Sequence, residues 1–100
     1  MRGVKFNGGG AVTKAELKSL WYIKRKLMQD EAIEEHERDR LEKKVERIEE
    51  WIDTIDDPIV KDVIVYRFVK GYRWAKVAVL IGGDNTEDGV RMIVTRYLQK

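Results

Sequence analysis

Hydrophobic residues recur along most of this chain at helical spacing. Leu17, Leu20, Trp21, Ile23, Leu27 and Met28 form one stripe, and the opposite face carries Lys18, Lys24, Arg25 and Lys26. The four residues before it, Thr13 to Glu16, read T-x-x-E, a capping box that starts a helix. Farther on, Leu41, Val45, Ile48, Ile52 and Ile55 are spaced four, three, four and three, a heptad seam with Trp51 beside it. Carried backwards, the same register meets Leu27, Leu20 and Leu17 but also Glu31, Glu34 and Arg38, so the seam is polar in its middle. Two architectures satisfy this pattern. One is a single long helix from Thr13 to about Asp56, paired with a second chain. The other folds two helices back near residues 29–38, the basic one against the acidic one. Charge complementarity favours the hairpin, within one chain or between two, but no glycine or proline marks a turn there, and the expectation is a largely continuous helix in a homodimer, with the five heptad residues as its seam.

Asp56-Asp57-Pro58 ends this arm. The residue before proline is driven from the helical region, and proline suits the first turn of a new helix, with Asp57 as its N-cap. Ile59, Val60, Val63, Ile64, Phe68 and Val69 line that helix, and Gly71 stands just past its end. A short helix over Tyr72 to Ile81 follows, carrying Trp74, Val77, Ala78 and Ile81. Gly82-Gly83 supplies a turn, and Asp84, Asn85 and Thr86 are all good caps. The last helix has Val90, Ile93, Val94, Tyr97 and Leu98 as its inner stripe. The expected fold is all-α: a tail over residues 1–12, a helical, coiled-coil-like arm over 13–56, and a C-terminal helix-turn-helix over 57–100. Gly8-Gly9-Gly10 reads as a linker, because no strand precedes it as a phosphate loop would require.

Charge sharpens this picture. Residues 1–29 hold seven Lys/Arg against one acid, residues 30–57 hold five against thirteen, and residues 58–100 hold eight against four. Two basic ends therefore flank an acidic middle, within a net charge of only +2. Basic ends suit phosphate, and the acidic middle is repelled by it. Charged residues make up 38% of the chain, so much of it is solvated surface. The absence of cysteine excludes disulfides and thiolate metal sites. Neither a membrane-spanning run nor a secretory h-region is present, and the expectation is a cytoplasmic protein with no membrane partner. With one serine, one histidine (His36, among acids) and no nucleophile–base motif, neither an enzyme nor a metal or cofactor site is expected. Trp21, Trp51 and Trp74 read as packing residues rather than stacking platforms.

The segment Ile52-Asp53-Thr54-Ile55-Asp56-Asp57-Pro58, followed by Tyr66-Arg67-Phe68-Val69-Lys70-Gly71-Tyr72-Arg73-Trp74-Ala75-Lys76-Val77-Ala78 and then Gly82, resembles small phage-encoded regulators with a sigma-factor-region-4-like helix-turn-helix. The resemblance covers about residues 50–98, and its most specific part is Arg67-Phe68-x-x-Gly71-x-x-Trp74. It implies a DNA-binding regulator of phage or prophage transcription in a bacterial host cell. Its partners would be double-stranded DNA and RNA polymerase or another host protein, and its recognition helix would be Thr86 to Leu98. On that helix Glu87, Asp88, Arg91, Met92, Thr95 and Arg96 would point outward. Arg91 and Arg96 suit guanine edges or phosphates, and Thr95 a phosphate or thymine methyl. Lys70, Arg73 and Lys76 would lie where backbone phosphates usually sit. Glu87 and Asp88 favour the helix dipole but oppose phosphate, and Gly89 loosens the first turn; these depart from a comfortable DNA reader.

Two other functions fit the same residues. A small terminase-like packaging subunit also joins a helix-turn-helix to an oligomerising arm. A protein-binding module or inhibitor would instead work through the acidic arm, with Glu42, Glu46, Glu49, Glu50 and Asp53 mimicking DNA.

Overall fold

A computed structural model describes residues 12–99, and the expected N-terminal tail over residues 1–12 lies outside the described residues except for Val12. The regular secondary structure of the described residues is all helical. α1 spans Lys14–Gln29, α2 Glu35–Asp53, α3 Pro58–Ile64, α4 Trp74–Ile81 and α5 Glu87–Leu98, and α3 continues through a π-helical turn, Val65–Val69.

The starts of α1, α3 and α5 follow caps anticipated from the sequence, whereas α2 and α4 begin without a side-chain cap. Thr13 accepts the Glu16 N–H at 3.1 Å, and Glu16 returns a bond to the Thr13 N–H at 3.1 Å, completing the capping box of α1. Asp57 accepts the N–H groups of Ile59 and Val60 at 2.9 and 3.3 Å, with Pro58 in the first turn of α3. Each bond satisfies a backbone donor that the helix itself leaves orphaned.

The single long helix does not form. α1 and α2 are separate and pack on each other as a hairpin within one chain. A turn without glycine or proline is possible because polar side chains tie it. The Arg38 guanidinium donates to the carbonyls of Leu27 and Asp30 at 3.1 and 3.2 Å, capping the end of α1. Asp30 also accepts the Ala32 N–H at 2.9 Å. The polar middle of the heptad register is therefore the turn, and Arg38 is its fastener. Opposite charge joins the two helices farther along, through Lys24 and Glu49 at 2.8 Å and through Arg47 and Glu16.

This hairpin also consumes the seam assigned to chain pairing. Leu41, Val45, Ile48, Ile52 and Ile55 are all buried within the single chain. All but Leu41 join one continuous core with Val12, Leu17 and Leu20 and with residues of α3, α4 and α5. The boundaries at residues 12 and 57 thus do not separate structural units: Val12 is a core residue, and arm and C-terminal helices share one interior. Burying a side chain of this kind stabilises the fold by about 1.5–3 kcal/mol, which makes the shared core the main source of rigidity for the surface described next.

Candidate nucleic-acid interface

The segment Arg67-Phe68-x-x-Gly71-x-x-Trp74 is a clamp that sets how α3 turns into α4. Past the π turn, the Lys70 N–H donates to the Val65 carbonyl and the Tyr72 N–H to the Tyr66 carbonyl, at 2.9 and 3.0 Å. Gly71 then takes φ +75°, a conformation that side-chain-bearing residues rarely adopt. Arg67 donates to the Tyr72 carbonyl at 2.9 Å, and its guanidinium carbon lies 4.9 Å from the Trp74 ring centre. Phe68 is buried and meets the same indole edge-on at 6.1 Å. Trp74 is half-buried, as a packing residue should be. The opposite side of the turn is closed by α1, whose Trp21 indole lies against Gly71 so closely that a Cβ there would come within 2.5 Å of its Nε1.

α4 and α5 pack on each other across residues 82–86. Gly82 and Gly83 both have positive φ, at +84° and +65°. Asn85 donates to the Gly82 carbonyl at 2.7 Å, and Thr86 caps α5 by accepting the Gly89 N–H at 3.0 Å. Gly89 leaves room for that cap, since a Cβ would approach the Thr86 hydroxyl to 3.2 Å. Of the three candidate caps it is Thr86 that serves.

On α5, Val90 and Val94 are buried and Ile93, Tyr97 and Leu98 half-buried, while Glu87, Asp88, Arg91, Met92 and Arg96 are exposed. The outward set read from spacing is thus on the surface, except that Thr95 is half-buried. Thr95 donates to the Arg91 carbonyl at 3.1 Å and accepts from Lys14 of α1 at 3.5 Å. Arg91 is held by its own helix, 3.1 Å from Asp88 and 3.7 Å from Glu87, and its guanidinium sits 5.8 Å from the Trp74 ring centre. The two acids that oppose phosphate are therefore the local counterions of Arg91. Arg96 makes no ion pair with another described residue and is exposed. Lys70, Arg73 and Lys76 are exposed on the α3–α4 turn and α4, with the Lys76 ammonium 4.0 Å from the centre of the Tyr72 ring.

The fold also assembles a group that sequence spacing did not single out. Between α1, the end of α3, the start of α4 and α5 lies a cleft of about 500 Å³. Lys14, Lys18, Arg67 and Arg91 line it, together with the rings of Trp21, Tyr22, Phe68 and Trp74, and no carboxylate among the described residues does. Lys70, Arg73 and Lys76 stand outside it. The basic face of α1 was visible in the sequence. Its approach to α5 was not, because that follows from the hairpin and from the Trp21–Gly71 contact.

Elsewhere, the acidic face of α2 is partly neutralised. Glu49 pairs with Lys24 at 2.8 Å and Asp53 with Lys61 at 3.7 Å, leaving Glu42, Glu46 and Glu50 exposed without such partners among the described residues. His36 is exposed. Trp51 meets Tyr97 of α5 edge-on at 6.1 Å, as a packing residue. Burial pushes the Glu16 carboxyl upward, but the Thr13 backbone bond, the Arg47 guanidinium and the Lys44 charge outweigh it and hold the group below its ordinary value. No helix among the described residues is long and apolar enough to cross a membrane. No family model, curated protein or solved structure matches the chain.

Proposed function

We propose that the chain is a DNA-binding transcriptional regulator, acting at phage or prophage promoters through a helix-turn-helix formed by α4 and α5. The resemblance carried by Arg67-Phe68-x-x-Gly71-x-x-Trp74 supplies the setting. The observation that carries the reading is the outward face of α5. It presents Arg91, Met92 and Arg96 to solvent while its other face is buried in the shared core. A helix fixed on one side and bare on the other is what entry into a major groove requires. Arg96 supplies an uncommitted guanidinium for a guanine edge or a phosphate. Lys70, Arg73 and Lys76 supply phosphate contacts that fix register without reading sequence. Arg91 reaches DNA by exchanging its carboxylate partners for phosphate. Such exposed ion pairs are individually worth about 0–1 kcal/mol, so the exchange is not prohibitive.

The heptad seam takes no part in this reading, since it is buried inside one chain; a pairing of two chains would need another surface. RNA polymerase is the partner whose access or activity a promoter-bound protein of this kind would set. The test is fluorescence anisotropy with a random-sequence duplex across a salt series, for the wild type and for Arg91→Ala/Arg96→Ala. The reading expects affinity that falls steeply with salt, and a slope reduced by about 2 in the double variant. Absence of binding at low salt refutes it.

A further inference from the structure

The cleft between α1 and α5 concentrates four cations on a wall without a carboxylate among the described residues. That is unusual for a chain with 18 acidic residues, many of which are spent on pairs elsewhere. Lys24 has Glu49, Arg47 has Glu16, Arg40 has Glu37 and Lys43 has Asp39. Arg91 has Asp88 and Glu87, which lie outside the cleft wall, whereas Lys14 and Lys18 have no such partner among the described residues and Arg67 bonds only to a carbonyl. Like charges gathered in one concavity repel each other and focus a positive potential that an anion relieves. The same wall carries ring surface. Trp21 and Tyr22 meet edge-on at 5.6 Å, and Tyr22 is 72% exposed although it is a large aromatic residue. A volume of about 500 Å³ is within the range of small-molecule sites.

We propose that this cleft binds a nucleotide unit, a phosphate held by Lys14 and Lys18 with a planar base against the exposed Tyr22 ring. Arg91 closes the charged side from α5, and Arg67 is held back by the Tyr72 carbonyl as part of the clamp. The unit can come from a free nucleotide or from a strand of DNA running off α5, because the Lys14–Thr95 bond places this cleft directly beside the outward face of that helix. In either case occupancy fastens α1 to α5 and makes the N-terminal helix part of the ligand-binding surface. The inference does not need the regulator reading.

The experiment uses the full chain and Lys14→Gln/Lys18→Gln, both positions being exposed, with unchanged far-UV circular dichroism as the folding control. Isothermal titration calorimetry is run with adenosine monophosphate, with adenosine, and with a random duplex at 0.1 M salt. Binding of the monophosphate but not of adenosine, weakened about tenfold in the double variant, supports the site and assigns it to a free nucleotide. Binding of the duplex alone, weakened roughly tenfold per lysine with a salt slope smaller by about 2, supports the site and assigns it to a DNA strand. Equal affinity of the wild type and the double variant for every probe, or no binding of any, overturns the proposal. Duplex binding that depends on Arg96 but not on the two lysines overturns this site and leaves the regulator reading standing. Monophosphate binding that depends on the lysines, without duplex binding, does the reverse.

Discussion

Replacing Gly71 with alanine tests the packing that joins the N-terminal hairpin to the rest of the protein. Two penalties coincide at this position. The first is backbone: at φ +75° an alanine is strained, at about 1–2 kcal/mol. The second is steric. The new Cβ would stand 2.5 Å from Trp21 Nε1, 2.8 Å from Cδ1 and 3.1 Å from Cε2, so the indole must move. Trp21 is half-buried and is no freely mobile tip, and forcing such a group aside costs typically 1–3 kcal/mol. The expected loss is about 2–5 kcal/mol, a large share of the roughly 5–15 kcal/mol that stabilises a typical domain. Gly82→Ala is the control. Nothing lies within 4 Å of the added Cβ, so only a backbone penalty applies, about 1–3 kcal/mol at φ +84° and ψ −169°, a region essentially reserved for glycine. Urea denaturation of the two variants, followed by circular dichroism with a shared m-value, measures both. The steric part of the Gly71→Ala loss, about 1–3 kcal/mol, should vanish in a Trp21→Ala background, while the Gly82→Ala loss should not change. A Gly71→Ala loss that is the same with Trp21 and with Trp21→Ala would refute the claim that α1 is seated on the α3–α4 turn.

Arg38→Ala should destabilise by about 1.5–3 kcal/mol, since it strips charge-assisted bonds from the half-buried carbonyl end of α1; urea denaturation reads this, and a loss within 0.5 kcal/mol would mean that the turn at residues 30–34 does not depend on that side chain. Glu16 sits below its ordinary carboxyl value of 4.5 when folded, so the stability it contributes is present above that value and is lost as pH falls through the lower folded one. Glu16→Gln should therefore reduce stability at neutral pH and flatten its decline under acid, checked by thermal unfolding between pH 7 and pH 3. An unchanged acid profile would show that the Thr13 and Arg47 contacts do not act on its titration.

The helices themselves were legible because their signals are local. Thr13 with Glu16, Asp57 with Pro58, and Gly71 each mark an end by backbone chemistry that needs no distant partner. The outward face of α5 was legible for the same reason: Val90 and Val94 are buried and Arg91 and Arg96 exposed, as a 3.6-residue period requires. The hairpin stood as one of two architectures, pointed to by the opposite charge of its helices, and was not decided because its turn is made by Arg38 reaching back to Leu27 and Asp30, across 11 and 8 residues. No glycine or proline announces such a turn. A heptad seam likewise says which side of a helix is apolar, not which partner covers it, and here α1 of the same chain does so. The basic cleft was hidden for a third reason. Lys14 and Lys18 are far in sequence from Arg91, and the packing of their helix into the shared core, with Trp21 seated on Gly71, brings it alongside α5.

The claim that the outward face of α5 contacts DNA is tested most directly by titrating the ¹⁵N-labelled protein with a random duplex at low salt and following backbone amide shifts. The account predicts that the perturbed amides cluster over residues 86–98 and around Lys70, Arg73 and Lys76, with α2 silent. Perturbations confined to the acidic face around Glu42, Glu46 and Glu50, or no perturbation at any ratio of duplex to protein, would contradict it.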